Sequence, residues 1–107
     1  MTTAKFLFSG DTIVSFELSG HSGFAEEGTD IVCSAVSSAV YMAANTIIEI
    51  IKLTPETVVR DGYLKVKMTL EDARESKVIT DGLYLHLGEL QNQYPNNLKL
   101  ERGVFDA

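Results

Sequence analysis

Between Thr12 and Ser19 the chain alternates, with Val14, Phe16 and Leu18 on one side and Ser15, Glu17 and Ser19 on the other. A period of two belongs to a strand half-buried against a core. Residues 4–9, Ala-Lys-Phe-Leu-Phe-Ser, read as a short strand before it, and Gly10-Asp11 as the turn that joins the two into a hairpin. From Ile31 to about Lys52 the period changes to that of a helix, about 33 Å long. Val32, Ala35, Val36, Ala39, Val40, Ala43, Ile47 and Ile50 form one broad apolar face. The rest is small, with Ser34, Ser37, Ser38 and Ala44, and no charge falls between Asp30 and Glu49. The length invites a membrane reading, but the serines, Asn45 and Thr46 dilute it and no basic flank sets an orientation. A buried central helix is the better account. A 107-residue monomer cannot cover such a helix on every side, which predicts a homodimer.

Thr54-Pro55 stops the helix, since proline cannot continue it. Residues 56–60 are extended, Asp61-Gly62 is a hairpin turn, and Leu64, Val66, Met68 and Leu70 then alternate with Lys65, Lys67 and Thr69 as a strand. Glu71 to about Tyr94 reads as a second helix, with Ile79, Leu83, His86 or Leu87, Leu90 and Tyr94 on one face. Gly82 and Gly88 weaken it and suggest close packing. Pro95-Asn96-Asn97 ends it, and Leu98 to Phe105 returns as a last strand. The order β-β-α-β-β-α-β predicts an α+β fold: a single domain over residues 1–107, with a mostly antiparallel sheet and two helices.

Composition narrows the function classes. Apolar residues at 45% and charged residues at 22% are ordinary for a soluble globular domain. The opening Met-Thr-Thr-Ala-Lys-Phe-Leu-Phe lacks the apolar run and cleavage site of a signal peptide. One cysteine cannot form an intramolecular disulfide, so a cytoplasmic location is expected. Net charge is −6 and the nine basic residues form no cluster, which argues against direct nucleic-acid binding. An acidic chain suits a basic polypeptide partner. There is no Gly-rich phosphate loop with its lysine and no Cys-x-x-Cys pair. Cys33, His21, His86 and a carboxylate match no zinc spacing, so neither a metal nor a cofactor is expected.

The chemistry concentrates between Gly20 and Val40. His21 follows the second strand, where it sits at the edge of the sheet and can face a cleft. A loop to residue 29 then carries Gly23 and Gly28, which permit a sharp return or a hinge. Asp30 is a good N-cap, which would place Cys33 in the first helical turn, where the dipole favours a thiolate. A histidine over that thiol can take its proton and later protonate a leaving amine. Backbone N–H groups at the helix start, that of Cys33 included, would receive the oxyanion. Against this, a lone cysteine is commonly a small buried hydrophobe and a lone histidine structural. Asp30 is either the cap or the orienter of His21, and a third catalytic member stays open. Ser37, one turn beyond Cys33, either hydrogen-bonds within the site or only packs. Phe24 is either a loop anchor in the core or an apolar wall for a substrate side chain, and Glu26 and Glu27 are either solvated or attract a basic peptide. His86 reads as a packed histidine.

Gly-His-Ser-Gly-Phe-Ala followed by Gly-Thr-Asp-Ile-Val-Cys-Ser-Ala-Val-Ser resembles the ribosomal-processing cysteine protease family (Prp). In that family the invariant pair is the His after the first Gly and the Cys after Asp-Ile-Val, positions held here by His21 and Cys33. The likeness is densest over residues 20–40 and looser over the whole chain. It implies a cysteine endopeptidase that removes the N-terminal extension of a large-subunit ribosomal protein precursor. The extension would end in an apolar stretch with paired aromatics followed by a small residue. An apolar groove near Phe24 would suit it, with the loop of residues 22–29 closing over the peptide. Two rivals remain. One is a non-catalytic ribosome-associated binding module with a buried, unreactive Cys33. The other is a different thiol enzyme, such as a small-molecule acyl hydrolase or a redox sensor.

Overall fold

The computed structural model describes residues 1–20 and 27–105, residues 27–30 by their backbone alone. Strands β1 (Thr2–Ser9) and β2 (Thr12–Ser19) form the expected antiparallel hairpin. Phe16 and Leu18 oppose Phe6 and Ala4, and all four are buried. The alternation breaks once: Leu7 opposes Ser15 but Phe8 opposes Ile13, which leaves Val14 as the extra residue of a bulge. Both Ile13 and Val14 are thereby buried, where a regular strand would turn one of them outward.

Strands β3 (Glu56–Arg60) and β4 (Tyr63–Lys67) add a second hairpin, and β5 (Leu98–Val104) closes the sheet in the order β3-β4-β2-β1-β5. β5 runs parallel to β1, so the sheet is mixed with three antiparallel pairings and one parallel. A parallel neighbour requires a long crossover, which the second helical region supplies. β2 is an interior strand with Gly20 following its last residue, and His21, expected at the edge of the sheet, lies outside the described residues.

Helix α1 spans Glu27–Asn45 and runs into a π-helical turn at Thr46–Ile50. It starts earlier than the sequence pattern suggests, taking in residues 27–29 of the expected loop. It also ends before Thr54-Pro55: Lys52 adopts φ +64°, and the N–H of Leu53 reaches back to the Ile47 carbonyl at 3.0 Å. A left-handed residue at a helix end closes the carbonyls that the helix leaves open. Val32, Val36, Val40, Ala43 and Ala44 of α1 and Ile47 of the π-helical turn are buried in the core, while Ile31 and Met42 of α1 and Ile50 of the turn stand exposed. By length and composition the stretch Ile31–Ile50 could cross a membrane, with a mean hydropathy of 1.7 over its best window. Here its inner stripe lies in the same core as the sheet's buried residues.

The expected strand over residues 64–70 ends at Lys67. Thr69 is extended and its hydroxyl accepts from the Asp72 N–H at 3.2 Å, capping helix α2 (Leu70–Glu75). The capping bond outcompetes continued alternation. The single helix expected from Glu71 to Tyr94 is in fact two, because Ser76 leaves helical geometry at φ −97° and ψ 3° before helix α3 (Lys77–Gln93) begins. The fold therefore has three helices where the pattern suggests two. Lys77 fixes the start of α3, pairing with Asp81 at 3.0 Å and donating to the Asp11 carbonyl at 2.6 Å.

Thr80, Leu83 and Leu87 form the buried face of α3, and Tyr84 sets its ring edge-on to Phe6 and Phe8 at 5.0 and 5.3 Å. This phase leaves His86 exposed, so it is not the packed histidine expected. Nor do the helix glycines mark tight contacts. A Cβ on Gly82 would meet nothing within 4 Å, and one on Gly88 only the Leu100 side chain at 3.9 Å.

Candidate active site

Cys33, Ser37 and Tyr41 lie four residues apart on α1 and so form one ridge of the helix. That ridge is one wall of a cleft of about 150 Å³. The strand ends supply the others: Thr2 from β1, Leu18 from β2 with Gly20 just after it, and Arg60, Gly62, Tyr63 and Leu64 from the second hairpin. Cys33 is half-buried, so its thiol borders the cleft without being sealed in the core. Gly20, Cys33 and Ser37 are thus gathered in one place. His21, Gly23 and Phe24 lie outside the described residues, as does the side chain of Asp30.

With α1 starting at Glu27, Asp30 is inside the helix and is not its N-cap. Cys33 falls in the second turn, where its N–H belongs to the intrahelical ladder. The dipole and the free N–H groups of a first turn are therefore not available to it as expected.

A contact between glycines fixes the position from which His21 departs. The Gly20 N–H donates to the Gly62 carbonyl at 3.1 Å. Gly62 takes φ +72°, and a Cβ there would stand 2.8 Å from the Gly20 carbonyl oxygen. A Cβ on Gly20 would meet the Thr2 Cα at 2.8 Å. Three backbone segments therefore converge at distances only glycine permits.

Around this knot the side chains are polar. Tyr63 donates from its hydroxyl to a Glu17 carboxylate oxygen, and the Arg60 guanidinium lies 4.5 Å from the centre of the Tyr63 ring. The hydrogen bond to Glu17, with burial and the Glu17 charge behind it, raises the Tyr63 pKa above its usual value. Thr2 is fully buried, and its hydroxyl has no hydrogen-bond partner among the described residues. Sequence reasoning missed Thr2, Tyr41, Arg60 and Tyr63. The one available signal was Tyr41, which continues the spacing of Cys33 and Ser37.

A larger and more apolar cavity of about 660 Å³ lies elsewhere, between the bulge at Val14, Pro55, Met68 and Phe105. It holds none of the residues singled out by their chemistry. Among the described residues no three His, Cys, Asp or Glu side chains gather closely enough to hold a metal ion.

Residues 1–99 match the protein family described as cysteine protease Prp. The ribosomal processing cysteine protease Prp of Bacillus subtilis (strain 168) is 31% identical over 98 residues, spanning 86% of this chain and 88% of that protein. Among solved structures, the fold is similar to the essential ribosomal processing protease Prp from S. aureus in complex with a substrate peptide. The TM-score is 0.86 at 21% identity, covering 95% of this chain and 99% of that one. The same S. aureus protease with a covalently linked product peptide superposes with a TM-score of 0.81 at 22% identity, over 95% and 99% of the two chains.

Proposed function

The chain belongs to the ribosomal-processing cysteine protease family Prp, and on that premise we propose that Cys33 and His21 act as a catalytic dyad. The substrate is the N-terminal extension of a large-subunit ribosomal protein precursor. The observation that carries this reading is the cleft, where Cys33 borders open space beside Gly20, the residue immediately before His21. The relatives bearing the protease name and a peptide-bound relative of the same fold fit it.

In the proposed cycle, His21 takes the Cys33 proton as Sγ attacks the scissile carbonyl. The same proton passes to the leaving amine as the C–N bond breaks, leaving a thioester on Cys33. Water then attacks the thioester carbonyl, His21 takes up a water proton and returns it to the thiol, and the extension leaves as a carboxylate. A relative carrying a covalently linked product peptide is consistent with such a bond. Ser37, on the same ridge as Cys33, is a hydrogen-bonding support for the site.

The protein works in the cytoplasm, where its one thiol stays reduced, and it recognises its precursor as a peptide without touching nucleic acid or membrane. It functions as a homodimer. The test is mass spectrometry of precursor incubated with purified variants, with thermal melts on the same samples. Cys33→Ala and His21→Ala are expected to fold and to release no extension, and the double variant to be no worse than either. Full cleavage by folded Cys33→Ala would sink Cys33 as the nucleophile, whereas no cleavage by folded wild type would leave the binding-module alternative standing.

A further inference from the structure

Strand β3 is the outermost strand on its side of the sheet, paired with β4 and with nothing beyond it among the described residues. All five of its residues are exposed. Such edges are commonly blunted by a bulge, a proline within the strand or charged side chains, and β3 carries charge only at its ends, Glu56 and Arg60, with Thr57, Val58 and Val59 uncharged between them. Here the pairing runs without a slip from Glu56↔Lys67 to Arg60↔Tyr63, and Pro55 stands just before the strand.

The register says which groups face outward. Residues flanking a two-residue turn form a hydrogen-bonded pair, and such pairs alternate along an antiparallel ladder. Glu56, Val58 and Arg60 therefore direct their main-chain groups to β4, and Thr57 and Val59 direct theirs to the open edge. Thr57 and Val59 pair with Val66 and Leu64, which are buried, so their side chains share the sheet face that packs on the helices. Val59 is nevertheless 58% exposed, and Tyr41 on the cleft wall 46%. The strand then ends at Arg60, which lines the cleft with Cys33. An open edge with an uncharged middle and an exposed Val59 thus ends at the cleft that Cys33 borders.

We propose that the substrate peptide docks as an added strand on β3, its main chain bonded to Thr57 and Val59, and passes Arg60 into the Cys33 cleft. This rests on the protease reading. Strand addition draws affinity from main-chain bonds and leaves selectivity to the alternate side chains. The continuity of β3 with the cleft favours a substrate peptide over a second copy of the chain. At about 3.3 Å per residue, β3 spans about 16 Å, enough to hold about five peptide residues extended.

The experiment measures kcat and KM for a synthetic peptide spanning the precursor's cleavage site, and for versions carrying a single N-methyl group at successive amides. Thr57→Pro is assayed beside Thr57→Ala, since an edge strand accepts proline where its N–H faces outward. Methylation at alternate amides on one side of the scissile bond is expected to raise KM by about tenfold, and methylation at the intervening amides to leave it unchanged. Thr57→Pro should raise KM similarly with kcat retained, and Thr57→Ala should behave as wild type. If Thr57→Pro does not fold, the methylated series still decides the matter. Cleavage indifferent to methylation at every position overturns strand addition and leaves the protease reading intact. Thr57→Pro that changes sedimentation but not KM assigns the edge to a second copy and also overturns it. No cleavage of any peptide or of the full precursor by wild type overturns the protease reading itself.

Discussion

The Thr2 hydroxyl is buried at the wall of the Cys33 cleft with no partner among the described residues. An unpaired buried hydroxyl costs about 1–3 kcal/mol, while a methyl of the same shape costs nothing in hydrogen bonding. Thr2→Val is therefore expected to raise the unfolding free energy by about 1 kcal/mol in urea titrations. A loss of stability would mean that the hydroxyl is paired after all. Thr2 also shows why parts of the site could not be read from the chain. Gly20, Cys33 and Ser37 were legible because the motif and one helical spacing hold them together. Thr2, Arg60 and Tyr63 reach the cleft only through the strand order, and nothing local in their sequence announces it. His86 was misread because the phase of α3 is set by Thr80, Leu83 and Leu87, which turn the histidine outward.

The second hairpin holds the end of β2 through the Gly20–Gly62 contact. Gly62→Ala would force an L side chain into left-handed backbone and press its Cβ on the Gly20 carbonyl oxygen. Relaxing that clash must displace Gly20, and His21 follows it directly in the chain. We predict a stability loss of about 2 kcal/mol in denaturant unfolding. The fall in kcat/KM of the folded enzyme should exceed what that loss explains. Equal activity per folded molecule would show that the hairpin turn does not position the site. The turn itself was legible, as Asp-Gly between alternating runs, and so were the bounds of β2. The start of α1 was not: Gly28 and Thr29 are poor helix formers and look like loop, yet the helix carries them. The break at Ser76 was equally hidden, since the apolar spacing continues across it.

For the whole molecule, the α+β class and the order of the five strands follow from the patterning, while the split of the second helical region into α2 and α3 and the parallel pairing of β5 with β1 do not. Leu98 and Leu100 would suit either direction, and the crossover through α3 decides it. The apolar helix is the other feature whose meaning depends on scale. As an isolated pattern α1 is apolar nearly all round, but in the fold its inner stripe is buried in the core and its outer stripe is left bare. Ile31 and Ile50 are 60% and 75% exposed, and Met42 lines a shallow groove with Ser38, Asn45 and Glu49. Exposed apolar side chains aligned along one helix mark an association surface more than scattered ones do. Two copies packing α1 against α1 across a two-fold axis would cover both stripes with one interface, the economical arrangement for a small chain. A stable pair should bury about 1,200 Å² or more in total. Wild type is thus expected to sediment as a dimer at micromolar concentration. Met42→Glu places a charge in the middle of the stripe, remote from the buried core, and should give a monomer with an unchanged far-ultraviolet spectrum. A wild-type monomer at that concentration, or a Met42→Glu protein that remains dimeric, would place the interface elsewhere or remove it.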